Sequence, residues 1–122
     1  MRCYQMKTGE LEYLKETLDV LSRRWNLLII FILLSGPKRF SEIKSLLGKN
    51  ISSKSLSTAL KSLIEYNFVE KRKGKNPSKY SNYYLTYKGR QLEDVYKSLV
   101  RWSKVHGSSL KRNDENRVKN KM

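Results

Sequence analysis

Hydrophobic positions in the first part of the chain recur with the spacing of helices. Leucines at every third or fourth position predict an amphipathic helix over residues 10–22. Residues 24–34 are apolar at nearly every position, which suits a buried helix or a buried strand. Their length and the Gly-Pro pair at residues 36–37 favour the helix. Ser41 is placed to cap a third, short helix that ends near Leu47.

The hydrophobic pattern predicts one more amphipathic helix and then changes to the alternating apolar and polar positions of strands. Ser52 opens a fourth helix that reaches about Tyr66, with an apolar stripe opposite a polar one that Ser57 and Ser62 flank. Asn67 suits the left-handed position that ends a helix. Residues 68–73 and 82–87 are rich in β-branched and aromatic side chains and predict two strands, and a last helix covers residues 88–106. A short helix, a turn, an amphipathic helix and a hairpin predict an α+β, mainly α fold. It is a winged helix-turn-helix with a two-stranded wing.

Length and composition allow one small domain with polar ends. The chain has 122 residues, and we expect an N-terminal arm over residues 1–9, a winged-helix domain over 10–106 and a flexible basic tail over 107–122. The longest apolar run, residues 27–34, is far shorter than the ~20 residues of a membrane span. A single cysteine excludes a disulfide-stapled secreted scaffold. We therefore expect a cytoplasmic, nucleoid-associated protein.

Positive charge is concentrated in the middle of the chain. The formal net charge is +15, and residues 38–90 alone carry thirteen basic and three acidic side chains. Lysine used only for solubility would be interspersed with acidic residues, which are scarce in this segment. Nucleic acid, and double-stranded DNA in particular, is the partner that such a field favours, with an acidic membrane surface as the alternative.

The outer face of the fourth helix supplies the candidate base-reading residues. Short hydroxyls and lysines on this face can reach base edges in the major groove. Arginine, asparagine and glutamine are absent there, which predicts modest base specificity and reliance on phosphate contacts and DNA shape. The alternative is a merely solvated polar face. The candidates are Ser53, Lys54, Ser57, Thr58 and Lys61.

A second group of candidates lies in the wing and just before the third helix. A basic hairpin can follow phosphates or enter the minor groove, and Arg72 suits the minor groove best because guanidinium is weakly hydrated. Four tyrosines in and beside the wing invite a base-stacking role, but alternate ones are expected to pack inward against the helices. They are Tyr80, Tyr83, Tyr84 and Tyr87. The wing candidates are Lys71, Arg72, Lys73, Lys75 and Lys79, and the backbone-contacting candidates are Lys38 and Arg39.

The sequence contains no recognisable arrangement of catalytic residues. Neither a Ser-His-Asp arrangement, paired carboxylates nor a glycine-rich phosphate loop can be recognised. The one histidine, His106, and the one cysteine, Cys3, argue against a zinc site. We expect a protein that is not an enzyme and that needs no metal or cofactor.

Four blocks of the chain resemble one family, the HxlR-type transcriptional regulators, a MarR-like group of winged helices. They occur in the family's order, and the likeness covers roughly residues 11–105. The blocks are TLDVLSRRW at residues 17–25, GPKRFSEI at 36–43, ISSKSLSTAL at 51–60 and YYLTYKGRQL at 83–92.

The resemblance implies a homodimeric regulator that binds a pseudo-palindromic promoter site, with long terminal helices pairing the subunits. The apolar residues of these helices exceed what one small core needs, which favours the dimer over the alternative that they merely cover the monomer core. Two symmetric recognition helices would meet half-sites about one turn, ~34–36 Å, apart. The residues expected at the dimer interface are Leu11, Leu14, Leu18, Leu21, Leu92, Leu99 and Trp102.

This sequence departs from the family pattern at three places, one of which is the turn at residues 48–50, one residue longer than is usual in the family. The position at which many members carry a redox-sensing cysteine holds Glu12, so thiol sensing is not implied, and a Gly-Lys pair of the family is Arg23-Arg24 here. Two other functions stay open. The high charge also suits a sequence-indifferent architectural DNA-binding protein, and some winged helices bind RNA or protein. The operator and any small-molecule effector are not readable from the sequence.

Overall fold

The computed structural model describes residues 5–74 and 80–110, which form two compact units, one ending at Gln91 and the other beginning at Leu92. Residues 1–4 of the predicted arm and 111–122 of the predicted tail lie outside the described residues. The first unit contains α1 (Glu10–Leu21), α2 (Asn26–Leu33), β1 (Lys38–Arg39), α3 (Phe40–Leu47), α4 (Ser53–Glu65), β2 (Val69–Arg72), β3 (Asn82–Leu85) and α5 (Tyr87–Arg90). The second contains α6 (Glu93–His106) and a 3₁₀ turn (Gly107–Leu110).

The core of the first unit is built around α2, the segment whose periodicity left helix and strand open. It is a helix, and its Ile29 and Ile30 are fully buried. The helix packs against both α3 and α4. Ile43 of α3 and Leu56 of α4 are also fully buried, so one small apolar core holds the helices together.

The sheet has one strand more than the predicted two-stranded wing. Its strand order is β1-β3-β2, and both pairings are antiparallel. In register, Tyr83 of β3 lies opposite Lys71 on one side and Lys38 on the other. The extra strand, β1, has only two residues, too few to show an alternating pattern. The architecture is otherwise the predicted one, mainly helical with a small antiparallel sheet.

The third helix starts earlier than predicted. Arg39 occupies the N-cap position, so Ser41 lies inside α3 and does not cap it. Glu42 explains the earlier start, because its Oε1 accepts a hydrogen bond from the Arg39 backbone N–H at 3.0 Å. A carboxylate at the third helical position thereby satisfies a donor that a capping hydroxyl would leave free.

The long last helix predicted over residues 88–106 is two helices, and the second strand ends before residue 87. Thr86 is the N-cap of α5, and its Oγ1 accepts a hydrogen bond from Gly89 N at 3.1 Å. Leu92, with φ −82° and ψ 3°, then separates α5 from α6. None of the helices within the described ranges is long and apolar enough to cross a membrane.

Candidate nucleic-acid interface

The fourth helix presents the predicted reading residues on its outer face. Ser52 is its N-cap, as predicted, with Oγ accepting a hydrogen bond from Ser55 N at 3.0 Å. Leu56 and Leu63 bury the inner stripe completely, which turns the opposite stripe to solvent. Asn67 ends the segment in the predicted left-handed conformation, with φ 65°. The exposed residues of the outer face are Ser53, Lys54, Ser57, Thr58 and Lys61.

Ser62 is an exception to the predicted face, because the sequence placed it beside the polar outer stripe. It is 9% exposed and lies on the buried side with Ala59, three residues earlier. Its Oγ accepts a hydrogen bond from Arg23 Nη1 at 2.8 Å. A charged donor from another element therefore compensates the burial of this hydroxyl.

The wing carries cations that lie over aromatic rings. On β2, the Lys71 ammonium lies 5.8 Å from the centre of the Tyr83 ring, and the Arg72 guanidinium lies 4.6 Å from that of Tyr84. Lys71, Arg72 and the following Lys73 are exposed. The predicted wing residues Lys75 and Lys79 fall outside the described residues, as does the rest of segment 75–79.

Arg72, the predicted minor-groove residue, has an acidic partner on its own strand. Its Nη2 lies 3.0 Å from the Glu70 Oε2, and both side chains are largely exposed. An exposed ion pair of this kind contributes little to stability and exchanges readily with solvent. The guanidinium can therefore leave Glu70 for a phosphate at small cost.

The Arg39 side chain, at the start of α3, contacts the Glu42 carboxylate and the Tyr80 ring. Its Nε lies 3.4 Å from Glu42 Oε1, and its guanidinium lies 5.4 Å from the centre of the Tyr80 ring. The Arg39 backbone N–H, followed by its side chain, holds the pKa of Glu42 below the ordinary value of 4.5. Lys38, the other backbone-contacting candidate, is half-buried in β1.

One groove brings these three regions together. It has a volume of about 410 Å³. The sequence identified Arg39, Ser57 and Lys71 separately, and here they line a single concave surface. The full lining is Arg39, Phe40, Ser41, Ser57, Lys71, Tyr80, Ser81 and Tyr83.

Several groove residues were not predicted as site residues. Ser41 was assigned only a capping role, and Ser81 follows the wing loop without any motif around it. The wing tyrosines divide as the alternation predicts, because Tyr83 is 7% exposed and packs inward. Tyr80, at the edge of the groove, is 70% exposed.

The two terminal helices carry apolar residues that lie on the surface. On α1, Leu11, Leu14 and Leu18 are exposed, whereas Leu21 is 7% exposed and belongs to the core. No residue of α6 is buried. Its apolar face forms a shallow groove of about 470 Å³, and Leu92, which precedes it, is half-buried. The groove is lined by Asp94, Val95, Ser98, Leu99 and Trp102.

Comparisons with known proteins agree with this geometry. The sequence model described as HxlR-like helix-turn-helix matches residues 20–111. The HTH-type transcriptional regulator YodB of Bacillus subtilis is 36% identical over 90 residues, which span 74% of this chain and 80% of YodB. YvaP of the same organism, an uncharacterized HTH-type transcriptional regulator, is 36% identical over 89 residues, or 73% of this chain and 82% of YvaP.

A solved structure shows the same fold. The reduced form of the transcriptional regulator YodB from B. subtilis superposes with a TM-score of 0.67 at 35% sequence identity. The superposition covers 80% of this chain and 92% of that one.

Proposed function

Because the chain belongs to the HxlR-like family of helix-turn-helix proteins, we propose that it binds a pseudo-palindromic promoter site as a homodimer. The chain is a transcriptional regulator of the HxlR and MarR type, and it is not an enzyme. On this proposal it acts by occupying a promoter and so changing the access of RNA polymerase.

The observation that supports the DNA surface best is the shared groove. Ser57 of the recognition helix α4, Lys71 of the wing and Arg39 of β1 line it together. Two cations and several hydroxyls around one concavity suit a sugar-phosphate strand, with α4 entering the major groove on one side. The wing then lies over the next stretch of backbone, where Arg72 reaches the minor groove.

Affinity on this surface is expected to be strongly electrostatic. The outer face of α4 offers lysines and short hydroxyls but no arginine, asparagine or glutamine, the side chains that best bind a base edge in bidentate fashion. If six to ten phosphates are contacted, binding should weaken by about 10³- to 10⁵-fold between 50 and 200 mM salt.

The test of the recognition helix is a pair of charge neutralisations. In the homodimer, Lys54→Gln with Lys61→Gln removes four lysines from the proposed surface. It should weaken binding and lower the slope of log affinity against log salt by up to about 3.6, since each lost phosphate contact removes about 0.9. Lys7→Gln with Lys104→Gln removes the same charge from exposed positions outside the proposed surface and should change the slope by much less. Equal slopes for the two double variants would rule out this assignment of α4.

The homodimer part of the proposal is supported by the uncovered apolar faces of the terminal helices. A 14-residue amphipathic helix without a buried residue, such as α6, requires a covering surface, and a second copy supplies one for both α1 and α6. Leu18 is 54% exposed on α1, in line with Leu11 and Leu14.

Sedimentation analysis tests this interface. Leu18→Glu should shift the protein from dimer to monomer, because a carboxylate would be buried without a partner in the subunit contact. Leu46→Glu places the same charge on an exposed leucine of α3 and should leave the dimer intact. A dimeric Leu18→Glu variant, or a monomeric wild-type protein, would contradict the proposed interface.

A further inference from the structure

A path of hydrogen bonds joins the last turn of α1 to the recognition helix. The Asn26 side-chain Nδ2 donates to Val20 O at 2.9 Å, which ties the start of α2 to the end of α1. The Asn26 backbone N–H donates to Arg23 O at 3.1 Å. Arg23 Nη1 then donates to Ser62 Oγ at 2.8 Å, across 39 positions of sequence. The junction between α1 and α2 is thereby fastened to the third turn of α4.

Both polar ends of this path are buried, which makes its geometry hard to change. Asn26 is 1% exposed and Ser62 is 9% exposed. A buried amide or hydroxyl that loses its partner costs far more than the bond contributes when it is formed. The bond from Arg23 is charge-assisted, the stronger and more directional kind. Relative movement of α1 and α4 would break it: the exposed Arg23 side chain could turn to water, but the Ser62 hydroxyl, which is 9% exposed, would lose its charged partner.

Two cations also hold the C-terminal end of α4. The Arg23 guanidinium lies 5.6 Å from the centre of the Tyr66 ring, so one side chain contacts α4 at two places. Tyr66 is the C-cap residue of the helix, and its carbonyl oxygen accepts a hydrogen bond from Lys88 Nζ at 2.6 Å. The helix end is therefore fixed from the α1–α2 junction and from α5.

We propose that Arg23 and Ser62 are positioning residues that lock the recognition helix to α1 and so set the distance between the two recognition helices of a dimer. This inference rests on the proposed function, in which α1 carries part of the subunit contact and α4 enters the DNA. Ser62 is buried on the core side of α4, so its effect on DNA binding must act through Arg23 and the helix position.

The consequence is a narrow tolerance for half-site spacing. Adding one base pair between half-sites separates them by about 3.4 Å and rotates one relative to the other. A locked pair of recognition helices cannot follow that change without losing contacts in one half-site. We expect the wild-type dimer to bind the optimal spacing about tenfold more tightly than a duplex one base pair longer or shorter.

The experiment measures the affinity of full-length variants for three duplexes: the optimal palindrome, the same palindrome with one base pair inserted, and a single half-site. Ser62→Ala removes the acceptor without changing charge, and alanine is favourable within a helix. Arg23→Gln replaces the charged guanidinium, which contacts both Ser62 and Tyr66, by a shorter neutral amide. Arg24→Gln is its matched control, because Arg24 lies over the Trp25 ring of the same loop at 4.8 Å.

The expected result is a loss of spacing preference with half-site affinity retained. Ser62→Ala and Arg23→Gln should each reduce the tenfold preference to about twofold while changing half-site affinity by less than about twofold. The double variant should resemble Arg23→Gln, because Ser62→Ala removes only a bond that Arg23→Gln has already lost. Arg24→Gln should keep the wild-type preference. A general loss of stability would lower all three affinities together, which makes the spacing ratio specific to positioning.

Two results would overturn the inference, and they differ in what they reject. If Ser62→Ala and Arg23→Gln bind with the wild-type preference, the lock does not set the spacing, although the proposed function stands. If the wild-type protein binds the optimal palindrome no more tightly than the single half-site, the palindrome-binding dimer fails, and the lock fails with it.

Discussion

Replacement of Gly89 by alanine should destabilise the first unit strongly. A Cβ at this position would lie 2.5 Å from Phe68 O and 3.0 Å from the Leu85 Cδ2. The carbonyl cannot withdraw easily, because it accepts hydrogen bonds from Thr86 N at 3.0 Å and Thr86 Oγ1 at 3.2 Å. Relief to an ordinary contact requires a shift of roughly 0.5–0.9 Å between α5 and Phe68, the residue just before β2.

The expected loss of stability has two contributions, overpacking at the new Cβ and weakened hydrogen bonds to Phe68 O. Overpacking of a tight site costs about 1–3 kcal/mol, and weakening the two bonds to Phe68 O adds about 1 kcal/mol. Together these give a loss of about 2–4 kcal/mol, a large part of the ~5–15 kcal/mol that stabilises a typical domain.

Urea unfolding followed by circular dichroism measures this loss, with Gly107→Ala as the control. Gly107 has helical angles, φ −58° and ψ −35°, and no atom within 4 Å of a built Cβ. Alanine there should be neutral or stabilise by up to about 1 kcal/mol. A Gly89→Ala variant within about 0.5 kcal/mol of wild type would refute the argument from the close approach to Phe68.

Two further predictions concern the helix caps of the helix-turn-helix. Ser52→Ala should lower the free energy of unfolding by about 1 kcal/mol, because the Ser55 N–H loses its acceptor, whereas Ser53→Ala, one position inside α4, should change it little. Glu42→Gln should lower stability at pH 7, because the folded-state pKa of Glu42 is depressed by Arg39 and its ionised form stabilises the fold above the ordinary value of 4.5. That difference should vanish in unfolding curves as the pH falls through the folded-state pKa, and a constant difference down to pH 2 would contradict the assigned cause.

Features with a strong local pattern were predictable from the sequence. The cap at Ser52, the exposed outer face of α4 and the left-handed Asn67 all follow from residue type and period, and the structure has them. Short or irregular features could not be predicted from residue type and period. The two residues of β1 form a strand only because β3 lies beside them, and the break at Leu92 has no glycine or proline to mark it.

Contacts between segments that are far apart in sequence could not be predicted from hydrophobic periodicity. Ser62 falls close to the boundary between the polar and apolar stripes of α4, where a period of 3.6 residues does not decide the side. Its burial becomes intelligible only with Arg23 beside it, and 39 residues of sequence separate the two. The groove that joins Arg39, Ser57 and Lys71 likewise depends on how three elements pack.

Selection of bound sequences from a random duplex pool at about 150 mM salt tests the central claim most directly. The proposed dimeric regulator predicts recovery of an inverted repeat with half-sites about one helical turn apart, and loss of that enrichment in the Lys54→Gln, Lys61→Gln variant. Recovery of unbiased or merely AT-rich DNA, with equal affinity for a palindrome and random duplex, would contradict it. The charge and the wing would then describe an architectural DNA-binding protein.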